Sequence, residues 1–115
     1  MSQADFIEAW NAFESWEFTD YEDIMRKLSD EQSLRYSRTL GTFFEGLGVL
    51  VRLELVPIHY IAYFITNMTR TYWEKIAPTI EELRENQNVP RTLSEVEYLY
   101  NELMKYLEEH PELKT

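Results

Sequence analysis

The chain has 115 residues, 44% of them hydrophobic and 15% aromatic, and its 21 acidic and 11 basic residues leave a formal charge of −10. That length suits one domain with its own core, and the apolar content excludes a disordered chain. The acidic balance disfavours nucleic-acid phosphates and anionic lipid headgroups as partners. With no cysteine, disulfides, thiol catalysis and cysteine metal centres are excluded.

The N-terminus, MSQADFIEAW, lacks a basic region followed by an apolar run, so no signal peptide is expected there. From Ser2 to about Ser15 the spacing predicts a first helix, with Phe6, Trp10 and Phe13 on one face beside Ala9. Thr19-Asp20-Tyr21-Glu22 reads as a capping box that starts a second helix, whose stripe is Tyr21, Ile24, Met25 and Leu28. Ser29-Asp30-Glu31-Gln32 reads as another, opening a long helix to about Leu55.

This long helix organises the rest of the chain. Tyr36, Leu40, Phe43, Phe44, Leu47, Leu50 and Val51 share one apolar face, with Arg38, Glu45 and Arg52 opposite. All three glycines of the chain, Gly41, Gly46 and Gly48, sit within it. Each costs about 1 kcal/mol in a helix interior relative to alanine, so their grouping predicts close approach of another helix in preference to a kink. They form no nucleotide loop, because no strand precedes them and no Gly-Lys-Ser/Thr follows.

Val56-Pro57 marks the next boundary, Pro being favoured at a first helical position. A helix is predicted from Ile58 through Ile61, Ala62, Ile65, Met68, Tyr72 and Ile76, folded back beside the long helix by a short loop. Ala77-Pro78 should break or kink it, leaving a shorter piece over Thr79–Glu85 with Ile80 and Leu83. Residues 85–91 form a polar linker. Thr92-Leu93-Ser94-Glu95 is a third capping box, starting a last helix with Val96, Leu99, Tyr100, Leu103 and Leu107 on its face and His110-Pro111 at its end. The expected fold is all-α: an antiparallel bundle of four main helices with short additional pieces, forming one domain over residues 1–115.

Catalytic signatures are missing from the sequence. Neither His59 nor His110 follows a Glu by three residues, so the Glu-x-x-His pattern of a di-metal bundle is not met and no metal or cofactor is expected. There is no G-x-S-x-G elbow. The apolar region Phe43–Ile65 is interrupted by Glu45, Arg52, Glu54, Pro57 and His59 and cannot span a membrane. A soluble, cytoplasmic protein is the expectation.

Two constellations carry the functional content. Tyr60, Tyr63 and Phe64 lie off the main stripe of their helix, and Tyr98 and Tyr106 off that of the last, which marks them as a candidate homodimer or partner interface. Glu45, Arg70, Trp73, Glu74 and Arg84 form a candidate polar cluster, read either as solvated ion pairs or as a groove at the Pro78 break.

The stretches Phe43-Phe44-Glu45-Gly46-Leu47-Gly48 and Trp73-Glu74-Lys75-Ile76-Ala77-Pro78, followed by Arg84, resemble a bacterial and archaeal family of small helical proteins catalogued as a domain of unknown function. The resemblance covers about Tyr36 to Arg84. It implies an uncharacterised helical domain, many of whose relatives carry an N-terminal membrane anchor, and it supplies no catalytic residue; no such anchor is expected in this chain. The leading functional expectation is a non-enzymatic domain acting through protein contacts as a homodimer. The alternative is a small-molecule or enzymatic pocket near Trp73 and Pro78.

Overall fold

Local side chains start each of the first three helices. In the computed structural model, which describes residues 2–115, Ser2 Oγ accepts the Asp5 N–H at 3.1 Å while the Asp5 carboxylate accepts the Ser2 N–H at 3.3 Å. This reciprocal pair opens α1, Gln3–Ser15. Asp20 caps α2, Tyr21–Leu28, by accepting from Asp23 N–H at 3.0 Å. Asp30 caps α3, Glu31–Arg52, by accepting from Ser33 N–H at 2.9 Å. The capping residues are therefore Asp20 and Asp30, one place after the Thr19 and Ser29 expected. A carboxylate one residue on is the stronger acceptor for N–H groups at the positive end of a helix. Hydrogen bonds from Ser2, side chain before backbone, hold the Asp5 carboxyl below its ordinary pKa, and the Ser33 backbone N–H does the same for Asp30.

α3 stops at Arg52, three residues short of the Leu55 expected. Glu54 adopts a left-handed φ of 60°, and two hydrogen bonds reverse the chain: Glu54 N–H to Val51 O at 3.0 Å and Leu55 N–H to Leu50 O at 2.9 Å. This is a Schellman turn with glutamate where glycine is usual. It sets Leu50 and Leu55 at the surface, so Leu50 leaves the buried face assigned to it.

The helix after Pro57 divides. α4 is Ile58–Phe64 and α5 is Thr66–Asn86, with Ile65 between them at φ −139°, ψ 37°. The break thus falls at the β-branched pair Ile65-Thr66, where helix propensity is weak, and not at Pro78. Thr66 Oγ1 donates to Ala62 O, giving a partner to a carbonyl at the break. α5 passes through Pro78 intact. Pro78 and Glu74 are both exposed, so water can serve the Glu74 carbonyl that loses its helix donor. The separation also redirects α4, which packs mainly on α6, Ser94–Glu109, instead of returning beside α3.

The architecture is all-α, six helices closed by the 3-10 turn Pro111–Leu113, with no strand among the described residues. α3 packs most extensively with α6 and α1. Its first half shares a core with α1 and α5 that includes Ala9, Phe13, Leu40, Phe44, Tyr72 and Ile76. The Phe44 and Tyr72 rings stack there at 4.5 Å and 17°. Its last turns share a second core of Val51, Ile61, Ala62, Leu99, Leu103 and Leu107 with α4 and α6. Leu47 touches both cores.

The glycines have three different surroundings. A Cβ on Gly48 would meet the Glu95 backbone oxygen at 2.1 Å, so glycine is what lets α6 lie against α3. A Cβ on Gly46 would meet nothing within 4 Å, and one on Gly41 would make ordinary 3.7 Å contacts. Close approach, expected for all three, belongs to Gly48.

Candidate functional site

The N-terminal half of α6 gathers most of the polar residues singled out from the sequence. Leu93, which precedes the helix, sits at a left-handed φ of 58° and gives it no side-chain cap. The expected Thr92 capping box does not form. In its place Glu45, reaching across from α3, accepts the Val96 N–H at 2.7 Å. A carboxylate is favoured there by the free N–H groups and the helix dipole. Glu45 is half-buried, not opposite the core as its helical spacing implied.

Neighbouring residues of α6 are held in the same way. Arg52 of α3 donates to the Glu95 carboxylate at 2.6 Å and lies over the Tyr98 ring at 4.0 Å. Arg84 of α5 donates through Nε to Thr92 O at 2.9 Å and through Nη1 to Glu81 at 2.7 Å. Its Nη2 lies 2.9 Å from Glu97, an ion pair without hydrogen-bond alignment. Glu74 accepts the Tyr100 hydroxyl at 2.7 Å, pairs with Arg70 at 3.4 Å, and stands beside Trp73, whose ring is 6.4 Å from Tyr100. Burial first, then the Glu74 hydrogen bond, raises the Tyr100 phenol above its ordinary pKa. Arg70 also donates to Thr115 O near the end of the chain.

The five-residue polar cluster therefore separates into three places. Arg70, Trp73 and Glu74 come together with Tyr100, while Arg84 and Glu45 hold other points on α6 and the segment before it. The contacts of Glu45, of Arg84 with Thr92 and Glu97, and of Glu74 with Tyr100 each join α6 or the segment before it to another helix. Arg84–Glu81 and Arg70–Glu74, by contrast, lie within α5. A parallel device at the far end of α1 was not read from the sequence: Lys75 of α5 donates to Phe13 O at 2.6 Å and Glu14 O at 3.3 Å, while lying over the Phe13 ring at 4.8 Å. α1 has no basic residue in its last turn, and Lys75 supplies the missing charge from another helix. Partial burial lowers the Lys75 ammonium pKa.

The candidate interface also separates. Tyr60, Tyr63 and Phe64 are 54%, 70% and 69% exposed on α4, with the Tyr60 and Phe64 rings 5.6 Å apart. Tyr98 lies under Arg52, and Tyr106 stacks on His110 at 4.1 Å; both are half-buried against the second core. Sequence spacing missed four further exposed apolar residues, Val49, Leu50, Leu53 and Leu55, at the adjoining end of α3. A run of apolar residues across a helix end was the available signal.

Residues 1–103 match the family described as Domain of unknown function (DUF4760). The chain belongs to that family. The match extends well beyond the Tyr36–Arg84 region of the motifs and takes in both α1 and most of α6. No curated protein and no solved structure matches the chain. In this DUF4760 chain His59 is exposed on α4, and His110 Nδ1 lies 3.1 Å from Tyr106 O. Among the described residues no group of three or more His, Asp or Glu could hold a metal ion, and no helix is long and apolar enough to cross a membrane.

Proposed function

We propose that this chain is a non-enzymatic, cytoplasmic interaction module that forms a homodimer through the apolar end made by α4 and the end of α3. In this reading α1, α3, α5 and α6 form an antiparallel bundle of four main helices, and α4 is the element that meets the second copy. The observation that carries it is the exposure of Leu53, Leu55, Tyr60, Tyr63 and Phe64, each more than half accessible and confined to residues 53–64. Contiguous exposed apolar residues of this kind favour a partner.

Charge favours a second copy in particular. Between residues 49 and 65 the only formal charges are Arg52 and Glu54, which cancel, so the whole charge of −10 lies elsewhere. A neutral apolar end on an otherwise acidic molecule needs no oppositely charged partner, and it is where two copies meet with least repulsion. Tyr98 and Tyr106 then act from behind, fixing α6 beneath α4.

Light scattering on the full chain across a concentration series tests this. The expected result is a dimer at tens of micromolar that Tyr63→Glu converts to a monomer. A monomer throughout, unaffected by Tyr63→Glu, would overturn the reading.

A further inference from the structure

Lined by none of the residues just discussed, a half-open pocket of about 170 Å³ lies among α1, α2, α3 and α5. Its wall is almost wholly apolar. Phe13, Trp16, Phe18 and Tyr72 contribute aromatic faces, and Ile24 of α2 and Ile80 of α5 close the sides. A dry cavity of roughly 150 Å³ is enough to hold a benzene ring.

Lys27, Ser37, Thr92 and Tyr72 bring polar groups to this lining, and Tyr72 is the one whose aromatic ring also forms part of the wall. Tyr72 is only 5% exposed, and its hydroxyl makes no hydrogen bond to any described residue. The oxygen keeps some contact with solvent, so a ligand oxygen at this point takes the place of water. Gly41, which also lines the pocket, keeps space beside it: a Cβ there would stand 3.7 Å from the Tyr72 oxygen. Burial, and secondarily the charge of Glu45, raise the phenol's pKa, so it remains a neutral donor.

We infer that this pocket binds a small neutral aromatic molecule bearing a hydroxyl, its ring among Phe13, Trp16 and Phe18 and its oxygen paired with the Tyr72 hydroxyl. Neutrality follows from the electrostatics. The pocket's one cation, Lys27, stands 5.5 Å from the Trp16 ring centroid and already feels the Asp30 carboxylate, and the chain as a whole is strongly acidic. An anionic ring would be repelled by that field. The site is separate from the α4 surface, Trp73 and Pro78: the side of α5 that faces it carries Tyr72, Ile76 and Ile80.

The test uses the full chain, p-cresol, toluene and benzoate, read by titration calorimetry and by the methyl NMR signals of Ile24, Ile76 and Ile80. p-Cresol is expected to bind once per chain and to shift those methyls. Tyr72→Phe should weaken p-cresol about fivefold, the worth of one hydrogen bond, and change toluene less than twofold. Gly41→Ala, which occupies room beside the hydroxyl without a clash, should weaken p-cresol as well. The proposal fails if p-cresol moves none of these methyls up to its solubility limit. It fails equally if Tyr72→Phe weakens both rings alike, if Gly41→Ala leaves p-cresol unaffected, or if benzoate binds more tightly than p-cresol.

Discussion

The first two turns of α6 and the whole of α4 are both short helical surfaces packed on the rest of the chain, yet they are held in opposite ways. α6 begins with side chains from two other helices attached to it: Glu45 and Arg52 from α3, and Glu74 and Arg84 from α5. α4 has no side-chain cap, and none of the ion pairs among the described residues reaches it. Its buried residues are Ile61 and Ala62. Polar contacts with fixed geometry set the register of α6, whereas α4 is anchored mainly by the apolar area of Ile61, Ala62 and Ile58, with the Thr66 hydroxyl bond to Ala62 O at its end. The comparison separates positions committed to the fold from positions left at the surface.

The largest expected effect lies at the closest point of the α6 contact. Gly48→Ala places a methyl 2.1 Å from the Glu95 backbone oxygen, where no side-chain rotation relieves it. Overpacking of this kind costs about 3 kcal/mol even after the helix-propensity gain. Gly46→Ala, two residues away and facing open space, should instead stabilise by about 0.5–1 kcal/mol. Urea unfolding of both variants checks the pair. Equal effects of the same sign would mean that α6 does not lie against Gly48.

These two glycines also show how far the sequence could be read. The apolar periodicity placed α1, α2, α3 and α6 correctly to within a few residues, because one buried face repeats along each. It could not tell Gly46 from Gly48, since the difference lies in what approaches from another helix. Capping was legible to within one residue where the partner is local, Asp20 and Asp30 standing one place after the expected Thr19 and Ser29. It was illegible where the partner is distant, as with the Glu45 acceptor for Val96 N–H and the Lys75 donor to Phe13 O. Pro78 attracted the predicted break, although an exposed proline can be carried within a helix. Ile65-Thr66 gave only the weak signal of β-branching. Of the candidate site, Tyr60, Tyr63 and Phe64 were legible as surplus apolar residues. The Tyr72 pocket was not, because its walls come from four separate helices.

A middle-sized effect is expected at Glu45. Glu45→Ala leaves the Val96 N–H at the start of α6 without its acceptor, at a cost of about 1–2 kcal/mol. Glu45→Gln keeps an acceptor oxygen but gives up the charge, so its loss should be about half as large. Denaturant unfolding distinguishes the two substitutions. A loss under about 0.5 kcal/mol for Glu45→Ala would show that Arg52 and Arg84 hold the helix start without it, and the contrast with α4 would weaken accordingly.

The smallest effect on the isolated chain is expected from Phe64→Ser. Phe64 is 69% exposed, so little of its apolar surface is removed from water on folding. Unfolding measured at low protein concentration should therefore change by no more than about 0.5 kcal/mol. At high concentration the outcome should diverge. A dimer that forms only from folded chains stabilises them by mass action, so the melting temperature of the native sequence should rise with concentration. The Phe64→Ser melting temperature should stay flat, because the ring that would be buried between copies is gone. A loss above about 2 kcal/mol at low concentration would place Phe64 inside the fold and return α4 to the core. Parallel concentration dependence of the two proteins would take Phe64 out of the dimer contact.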